Sequence, residues 1–199
     1  IGKLPVSELE RASLFFDIGE IHRARYGRIK RMTDIAGAAV GLVPLAVLTP
    51  AVLVGNLVGN RGPLLYRQDR VGRNGALFSI LKFRTMRPTG PGMSSPTDWT
   101  AAGDPRVTPF GRFLRRSHLD ELPQVINILR GDLSLVGPRP EQPRYVVQLS
   151  EKLPFYGMRH LVRPGLTGWA QVKYGYAGDE RDALAKLQYE FFYLRHQSL

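Results

Sequence analysis

The chain has 199 residues, which is long enough for one domain with its own hydrophobic core. It contains no cysteine, and this excludes disulfide bonds, thiol catalysis and thiolate metal sites. The formal net charge of +11 favours anionic partners, namely nucleic acid, phosphorylated substrates or anionic lipids. A charge spread evenly over the surface would not indicate an anionic partner, so the positions of the basic residues decide whether one is expected.

Residues 1–34 are predicted to form a helical, basic lead-in. Ser7 and Glu10 have the spacing of a helix-capping box, and apolar residues follow them. Basic side chains come next: Arg23, Arg25, Arg28, Lys30 and Arg31. No basic start followed by an apolar core lies within residues 1–20, so we expect no signal peptide there.

Residues 35–60 carry no charged side chain and are predicted to form a membrane helix. As one continuous helix this segment would be about 39 Å long, which exceeds the ~30 Å hydrocarbon core of a bilayer. The alternative is a buried helix of a soluble domain, where so long an uncharged stretch is unusual. The sequence therefore favours a membrane segment.

Two features argue against a simple membrane span. Pro44 and Pro50 lie inside the segment, and each removes a helical hydrogen bond. Basic residues flank both ends, whereas the positive-inside rule places Lys and Arg on the cytoplasmic side. A re-entrant helix that breaks at Thr49 and Pro50 and returns to the same face satisfies both flanks. A kinked helix that spans the bilayer is the alternative.

The remaining residues, 61–199, are predicted to form a cytoplasmic domain. Apolar runs at 64–68 and 77–83 predict a β-hairpin, because Asn74-Gly75 between them is a turn signal. The other predicted elements are a surface loop at 88–104, a helix at 123–130, a strand at 133–136 and an amphipathic helix at 179–195. The expected fold class is α+β and membrane-associated, with a re-entrant helix and amphipathic helices around a small β-hairpin or sheet.

The sharpest candidate site is the carboxylate pair Asp120 and Glu121, which precedes a predicted helix. Several arginines lie near the pair in the sequence: Arg112, Arg115, Arg116 and Arg139. Carboxylates among arginines stay ionised, and the same arginines can bind phosphate. An ionised Asp can attack phosphorus, and a second carboxylate can hold Mg²⁺ against a diphosphate. The competing interpretation is that the pair only caps the helix and forms ion pairs.

Two further groups are candidates for ligand contacts. Lys82 and Arg84 alternate along a predicted strand and share one face, where they could bind phosphate or protect a strand edge. The segment 163–171 combines two glycines with Trp169, which could stack on a base, lie at the membrane interface or fill the core. The four histidines show no metal-ligand spacing, so no zinc site is expected.

Taken together, these motifs resemble the bacterial sugar transferases, also called monotopic phosphoglycosyl transferases. The matching segments are the apolar segment broken at Thr49-Pro50, then residues 82–86, 119–124, 131–140 and 163–172. Each motif alone is moderately specific, but all of them in this order are highly specific. One small departure is Thr49-Pro50, where some members have Ser-Pro.

The resemblance implies a two-step reaction in residues 61–199, the catalytic domain. Asp120 would take the sugar phosphate from a UDP-sugar and release UMP, and Glu121 would help to bind Mg²⁺. The basic residues implied in binding substrate phosphate are Lys82, Arg84, Arg115, Arg139 and Arg163. Polyprenyl (undecaprenyl) phosphate would then attack the intermediate and form a polyprenyl diphosphate-sugar, the first membrane step of exopolysaccharide, capsule or glycoconjugate assembly. The enzyme would act at the cytoplasmic face of a bacterial inner membrane.

The resemblance also implies that this is the catalytic part of a longer protein. Such longer members are often dimers, so a homodimer is predicted, whereas the sugar and the polyprenol length stay open. A nucleic-acid-binding domain would fit the charge, but not the uncharged residues 35–60, and no nucleic-acid motif is recognised, so no nucleic-acid partner is expected. A non-catalytic membrane scaffold would leave the Asp120 and Glu121 pair unexplained.

Overall fold

The structure is a computed structural model that describes residues 24–87, 104–174 and 180–196. The helices and strands in these ranges are α1 (Ala24–Gly59), β1 (Leu65–Val71), β2 (Leu77–Phe83), α2 (Pro109–Arg116), α3 (Gln124–Arg130), β3 (Ser134–Val136), α4 (Pro143–Lys152), β4 (Gly165–Thr167), α5 (Trp169–Tyr174) and α6 (Glu180–Arg195). The predicted capping box and nearly all of the predicted loop at 88–104 lie outside the described residues. The mixture of helices and small sheets confirms a mixed helix and sheet fold.

Helix α1 is long and apolar enough to cross a membrane. Over its most apolar window the mean hydropathy is 2.2, and only 11% of that window is buried. Large apolar side chains along it are exposed, among them Met32 at 70%, Val40 at 72% and Val58 at 76%. A core helix of a soluble domain would bury such side chains, so this surface suits contact with lipid.

The predicted break at Thr49 and Pro50 does not interrupt α1, which continues as one helix through Pro44 and Pro50. A proline removes one backbone hydrogen bond, and intact turns on either side can carry the helix past it with a bend. The Thr49 hydroxyl adds a hydrogen bond of 2.5 Å to the Leu45 carbonyl across this region. The predicted boundary between residues 34 and 35 also falls inside α1, so the end of the lead-in and the membrane segment form a single helix.

Both ends of α1 are tied to the rest of the domain. Arg31 donates a hydrogen bond of 2.5 Å to the Ile128 carbonyl in α3. Asn60, just after the helix, donates one of 2.6 Å to the Arg84 carbonyl after β2. A straight helix would separate Arg31 from Asn60 by about 43 Å at 1.5 Å per residue.

Pro44 and Pro50 are the positions of α1 at which a bend is expected, because each removes a backbone hydrogen bond from the helix.

The predicted hairpin is confirmed. Strands β1 and β2 pair antiparallel, from Leu65 opposite Phe83 to Val71 opposite Leu77. Asn74 (φ 55°) and Gly75 (φ 78°) both adopt the left-handed conformation that a tight hairpin turn requires. Strand β1 extends to Val71, beyond the predicted end at residue 68, because the ladder continues to the turn.

Helix α3 lies between α1 and the hairpin and organises the core. Its Val125 and Ile128 pack with Ala38 of α1 and Ile80 of β2. Helix α6 closes a second cluster with Leu187 and other buried side chains: Tyr156, Val162, Phe191 and Leu194. The predicted elements at 123–130, 133–136 and 179–195 correspond to α3, β3 and α6. Helices α2, α4 and α5 and strand β4 were not predicted.

Candidate functional site

The carboxylate pair lies on a short 3₁₀ helix, Leu119–Glu121, between α2 and α3. The chain enters this turn through His118, which has a left-handed backbone (φ 56°). Such a conformation is unfavourable for a residue with a side chain, so the packing on both sides must hold it. The turn places Asp120 and Glu121 beside β2, which packs against the 3₁₀ helix.

Glu121 is held by two cations from distant parts of the chain. Its Oε1 atom accepts a hydrogen bond of 2.7 Å from Lys82 Nζ and one of 2.8 Å from Arg139 Nη2. Burial alone would raise the pKa of Glu121, but Lys82 and Arg139 lower it to about 2. Glu121 is therefore ionised at neutral pH, and it fixes two basic groups at one point.

Asp120 is buried and differs from its neighbour. Only 8% of the residue is exposed, and within the described part of the chain its carboxylate accepts no hydrogen bond. Burial raises the pKa of Asp120, and the nearby Lys82 opposes that shift only in part. A buried carboxylate without a hydrogen-bond partner is costly, so such a group is a candidate for a functional role.

Arg115 lies beside the pair without bonding to it. Its Nε atom donates a hydrogen bond of 2.9 Å to the Thr85 hydroxyl, and its charge lowers the pKa of Asp120. The structure thus brings together the predicted residues Asp120, Glu121, Lys82, Arg115 and Arg139. Three of these are basic, and an anionic ligand would offset their mutual repulsion.

The side chains of Arg84 and Arg163 form their hydrogen bonds away from the carboxylate pair. Arg84 donates a hydrogen bond of 2.8 Å to the Pro63 carbonyl, and its guanidinium lies 6.0 Å from the centre of the Tyr66 ring. Arg163 donates one of 3.0 Å to the Gly131 carbonyl at the end of α3. Burial lowers the pKa of Arg163, and its charged neighbours are other residues: Arg31, Arg73 and Asp34.

Three residues at or behind the site were not predicted from the sequence. Arg70 donates a hydrogen bond of 3.1 Å to the Pro140 carbonyl. Burial lowers the pKa of Arg70, and the charges of Glu121 and Arg139 also affect it. The hairpin register could have identified it, because Tyr66 pairs with Lys82 and Arg70 lies on the same face. The other two are buried polar residues: Gln124 ends the matched segment 119–124, and Arg159 lies outside the matched segments.

The carboxylate pair also fits a magnesium ion. Mg²⁺ in phosphate-transferring sites is bound by one or two carboxylates together with substrate phosphates and water. The Asp120 carboxylate has no protein partner in the described ranges, and only one oxygen of Glu121 is bonded to Lys82 and Arg139. The described residues contain no cluster of three or more His, Cys, Asp or Glu side chains, so a closed all-protein metal site is not formed there.

Comparisons with known proteins identify relatives of this chain. Among curated proteins, the UDP-N-acetylgalactosamine-undecaprenyl-phosphate N-acetylgalactosaminephosphotransferase of Aeromonas hydrophila is 41% identical over 174 residues, which cover 87% of this chain and 41% of the relative. The UDP-glucose:undecaprenyl-phosphate glucose-1-phosphate transferase of Xanthomonas campestris pv. campestris is 37% identical over 203 residues, 100% of this chain and 40% of the relative. The transferase of the same name from Caulobacter vibrioides is 43% identical over 157 residues, 78% of this chain and 57% of the relative.

The chain spans 41%, 40% and 57% of the length of these three relatives. The family model described as bacterial sugar transferase matches residues 25–199, which include the carboxylate pair and both of its basic partners. The matched region also includes nearly all of α1. The chain therefore belongs to the bacterial sugar transferase family.

Proposed function

We propose that this chain is the catalytic part of an enzyme that transfers a sugar 1-phosphate from a UDP-sugar to undecaprenyl phosphate. The relatives are named for this reaction with glucose or N-acetylgalactosamine. The observation that carries the proposal is the carboxylate of Asp120, which is buried, without a hydrogen-bond partner in the described residues, and next to a cation pair on Glu121. An oxygen atom so placed can act as a nucleophile towards a bound diphosphate.

In the first step, an Asp120 carboxylate oxygen attacks the phosphorus that bears the sugar. The bond from this phosphorus to the oxygen that bridges the two phosphates breaks, and UMP leaves with the bond electrons. Lys82, Arg139 and Arg115 stabilise the charge that develops on the phosphoryl and leaving oxygens. Mg²⁺, when bound, would neutralise diphosphate charge, and Glu121 with Asp120 are the residues that would hold it.

In the second step, an oxygen of undecaprenyl phosphate attacks the same phosphorus. The bond to Asp120 breaks, the carboxylate is released, and the product is undecaprenyl diphosphate-sugar. Both attacks occur at one phosphorus atom, so a single set of basic residues can serve both substrates in turn. The acceptor is held in the bilayer by its polyprenyl chain, which requires this site to lie near headgroup depth.

The membrane placement that suits this reaction is a re-entrant α1 on the cytoplasmic face of the inner membrane. Two observations support it: the exposed apolar surface of α1 and the attachment of both of its ends to the rest of the described chain. Basic residues also flank both ends of the apolar segment. In this arrangement the domain lies on one side and the helix reaches into the headgroup and upper acyl region.

The test is to detect the covalent intermediate directly. Detergent-solubilised protein is incubated with Mg²⁺ and UDP-glucose, UDP-galactose or UDP-N-acetylgalactosamine, without an acceptor, and its intact mass is measured. We expect a sugar-phosphate adduct on the wild type and none on Asp120→Asn. The matched control is Asp69→Asn, because Asp69 is an exposed hairpin carboxylate that accepts a hydrogen bond of 2.7 Å from the Ser79 hydroxyl. This control should form the adduct as the wild type does.

A direct transfer without a covalent intermediate makes the opposite prediction. UMP would then appear only after undecaprenyl phosphate is added, and no adduct would be seen with any donor. The covalent mechanism is wrong if Asp120→Asn releases UMP at the wild-type rate under these conditions. The proposed function itself is wrong if the wild type releases no UMP from any of the three donors in the presence of the acceptor.

A further inference from the structure

The loop that carries Arg139 cannot hold itself in place by regular backbone pairing. We call residues 137–141, Gly-Pro-Arg-Pro-Glu, the arginine loop. Two of its residues are prolines, which have no backbone N–H and do not join a strand ladder. Its carbonyl groups still need donors, because part of the loop is buried.

Four consecutive carbonyl groups of the arginine loop accept hydrogen bonds from β1, from β4 and from a 3₁₀ helix at Tyr156–Leu161 that carries Arg159. Backbone nitrogens of β1 and β4 bind its two ends, and two arginine side chains bind its middle. The pairs are Gly165 N to Pro138 O at 2.8 Å, Arg159 Nη2 to Arg139 O at 2.7 Å, Arg70 Nη1 to Pro140 O at 3.1 Å, and Val71 N to Glu141 O at 3.0 Å. The loop is therefore attached to its surroundings along its whole length, and its Gly137 nitrogen also donates a hydrogen bond of 2.9 Å to the Thr167 carbonyl of β4.

Arg159 is the more deeply buried of the two arginine donors. It is 5% exposed, and the same Nη2 atom that binds Arg139 O also donates a hydrogen bond of 2.7 Å to Glu190 Oε1 in α6. Its Nη1 atom donates to the Tyr156 hydroxyl. Glu190 is also 5% exposed, so the ion pair is buried on both sides. Well-packed apolar residues often replace such a pair without loss of stability, so its presence suggests another role.

We propose that Arg159 is a positioning residue that fixes the backbone of Arg139 and thereby keeps the Arg139 guanidinium on Glu121 Oε1, facing the substrate diphosphate. Glu190 orients Arg159 from the opposite side. This inference rests on the proposed function only in its last part, the contact between Arg139 and the diphosphate. The attachment of the arginine loop to Arg159 is a property of the fold.

A lysine at position 159 separates positioning from folding. Lys keeps the charge that Glu190 needs, but a single ammonium group lacks the planar fork that reaches Glu190, Tyr156 and the Arg139 carbonyl together. We expect Arg159→Lys to slow formation of the sugar-phosphate adduct about 10- to 100-fold, the usual effect of a small misplacement of a catalytic group. The KM for the UDP-sugar should rise less than kcat falls, because the charge of Arg139 is still present.

A double-mutant cycle tests whether Arg159 acts through Arg139. If it does, Arg159→Lys has almost no further effect once Arg139→Gln has removed the guanidinium. Rate losses that multiply in the double variant would overturn the proposal, since they would mean two independent roles. Arg144→Gln is the matched control, because Arg144 is an exposed arginine on α4, and it should retain the wild-type rate.

Amide hydrogen exchange gives a readout that does not depend on activity. In Arg159→Lys we expect faster exchange in the peptide that covers the arginine loop and unchanged exchange in the β1–β2 hairpin away from it. Unchanged loop exchange would contradict the proposal, whatever the rates are. If the wild type forms no adduct, the covalent mechanism fails, and if it releases no UMP with the acceptor present, the proposed function fails; in both cases the exchange result still decides whether Arg159 holds the loop.

Discussion

Asp120 and Glu121 are adjacent in the chain, yet their carboxyl groups have pKa values shifted in opposite directions. Burial raises the pKa of Asp120, whereas Lys82 and Arg139 overcome the effect of burial on Glu121 and lower its pKa to about 2. Two neighbouring carboxyl groups with such different environments are suited to different tasks. Glu121 is an anchor for cations, and Asp120 is the group left available for a reaction.

The first prediction concerns the stability cost of Asp120. Folding raises the pKa of Asp120, because burial favours its protonated form. Its contribution to the free energy of unfolding is therefore fully present below the unfolded pKa of 3.8, and it is lost as the pH rises through the folded pKa. At neutral pH the ionised carboxylate therefore destabilises the fold. We expect Asp120→Asn to raise the free energy of unfolding by about 1 kcal/mol at pH 7, while it lowers transfer activity by about 10⁴-fold or more.

The measurement for Asp120→Asn is thermal unfolding in detergent from pH 3.5 to pH 8. The melting temperatures of variant and wild type should converge at the acid end, where the wild-type carboxyl group is protonated. A variant that is less stable than the wild type at pH 7 would show that Asp120 has a stabilising partner and is not held at a cost.

The second prediction concerns Glu121 and has the opposite sign. Its pKa falls from 4.5 to about 2 on folding, so its contribution is present above pH 4.5 and is lost as the pH falls towards 2. A shift of this size corresponds to about 3 kcal/mol. We expect Glu121→Gln to be less stable than the wild type at pH 7, because Lys82 and Arg139 lose their shared counter-charge.

Acid unfolding separates this role from a general packing effect. The wild type should lose stability steeply between about pH 4.5 and 2, and Glu121→Gln should have a flatter profile in that range. Asp69→Asn, at an exposed carboxylate, should follow the wild-type profile. Identical slopes for Glu121→Gln and the wild type would contradict the ion pairs with Lys82 and Arg139.

Short sequence signals were sufficient to predict the elements that a few neighbouring residues specify. Asn74-Gly75 specifies the hairpin turn, and Pro123 with Gly131 marks the two ends of α3. The β3–β4 pairing was not predictable in this way, because Ser134 pairs with Gly165 across a large separation in the chain. Strand β4, which has three residues, is also too short to show a periodic pattern.

The site was predictable as a set of motif residues, but the directions of their side chains were not. Lys82 and Arg84 were predicted to share a strand face, but β2 ends at Phe83, and Lys82 reaches Glu121 whereas Arg84 reaches the Pro63 carbonyl. Arg163 lies in a motif of the family, but the carbonyl of Gly131 at the end of α3 holds it. Long side chains can reach several nearby acceptors, and those acceptors come from parts of the chain that a motif does not contain.

The third prediction concerns the packing of α2 beneath the site. A side chain at Gly111 would clash with the Thr85 carbonyl. The Gly111 backbone is also fixed in place, because its N–H donates a hydrogen bond of 2.8 Å to the Thr108 hydroxyl. Helix α2 carries Arg115 and leads into the carboxylate pair, so a displaced α2 moves both. We expect Gly111→Ala to lower the free energy of unfolding by roughly 1–3 kcal/mol and to reduce transfer activity.

Gly157→Ala is the matched control, because no heavy atom lies within 4 Å of a methyl group added there. Its melting temperature and its rate should both stay close to those of the wild type. Equal melting temperatures for Gly111→Ala and the wild type would mean that α2 can move away from Thr85 without cost, contrary to the close contact between Gly111 and Thr85.

The fourth prediction concerns the course of α1 through the membrane. The chain has no cysteine, so single cysteines can be introduced without removing any native thiol. Arg28→Cys and Arg67→Cys mark the two basic flanks, and Arg144→Cys marks the domain; all three positions are exposed. A re-entrant helix places both flanks on the side of the domain, so a membrane-impermeant maleimide should label all three variants in inverted vesicles and none in intact spheroplasts. Labelling of only one flank in spheroplasts would show that α1 spans the bilayer and would contradict the re-entrant placement.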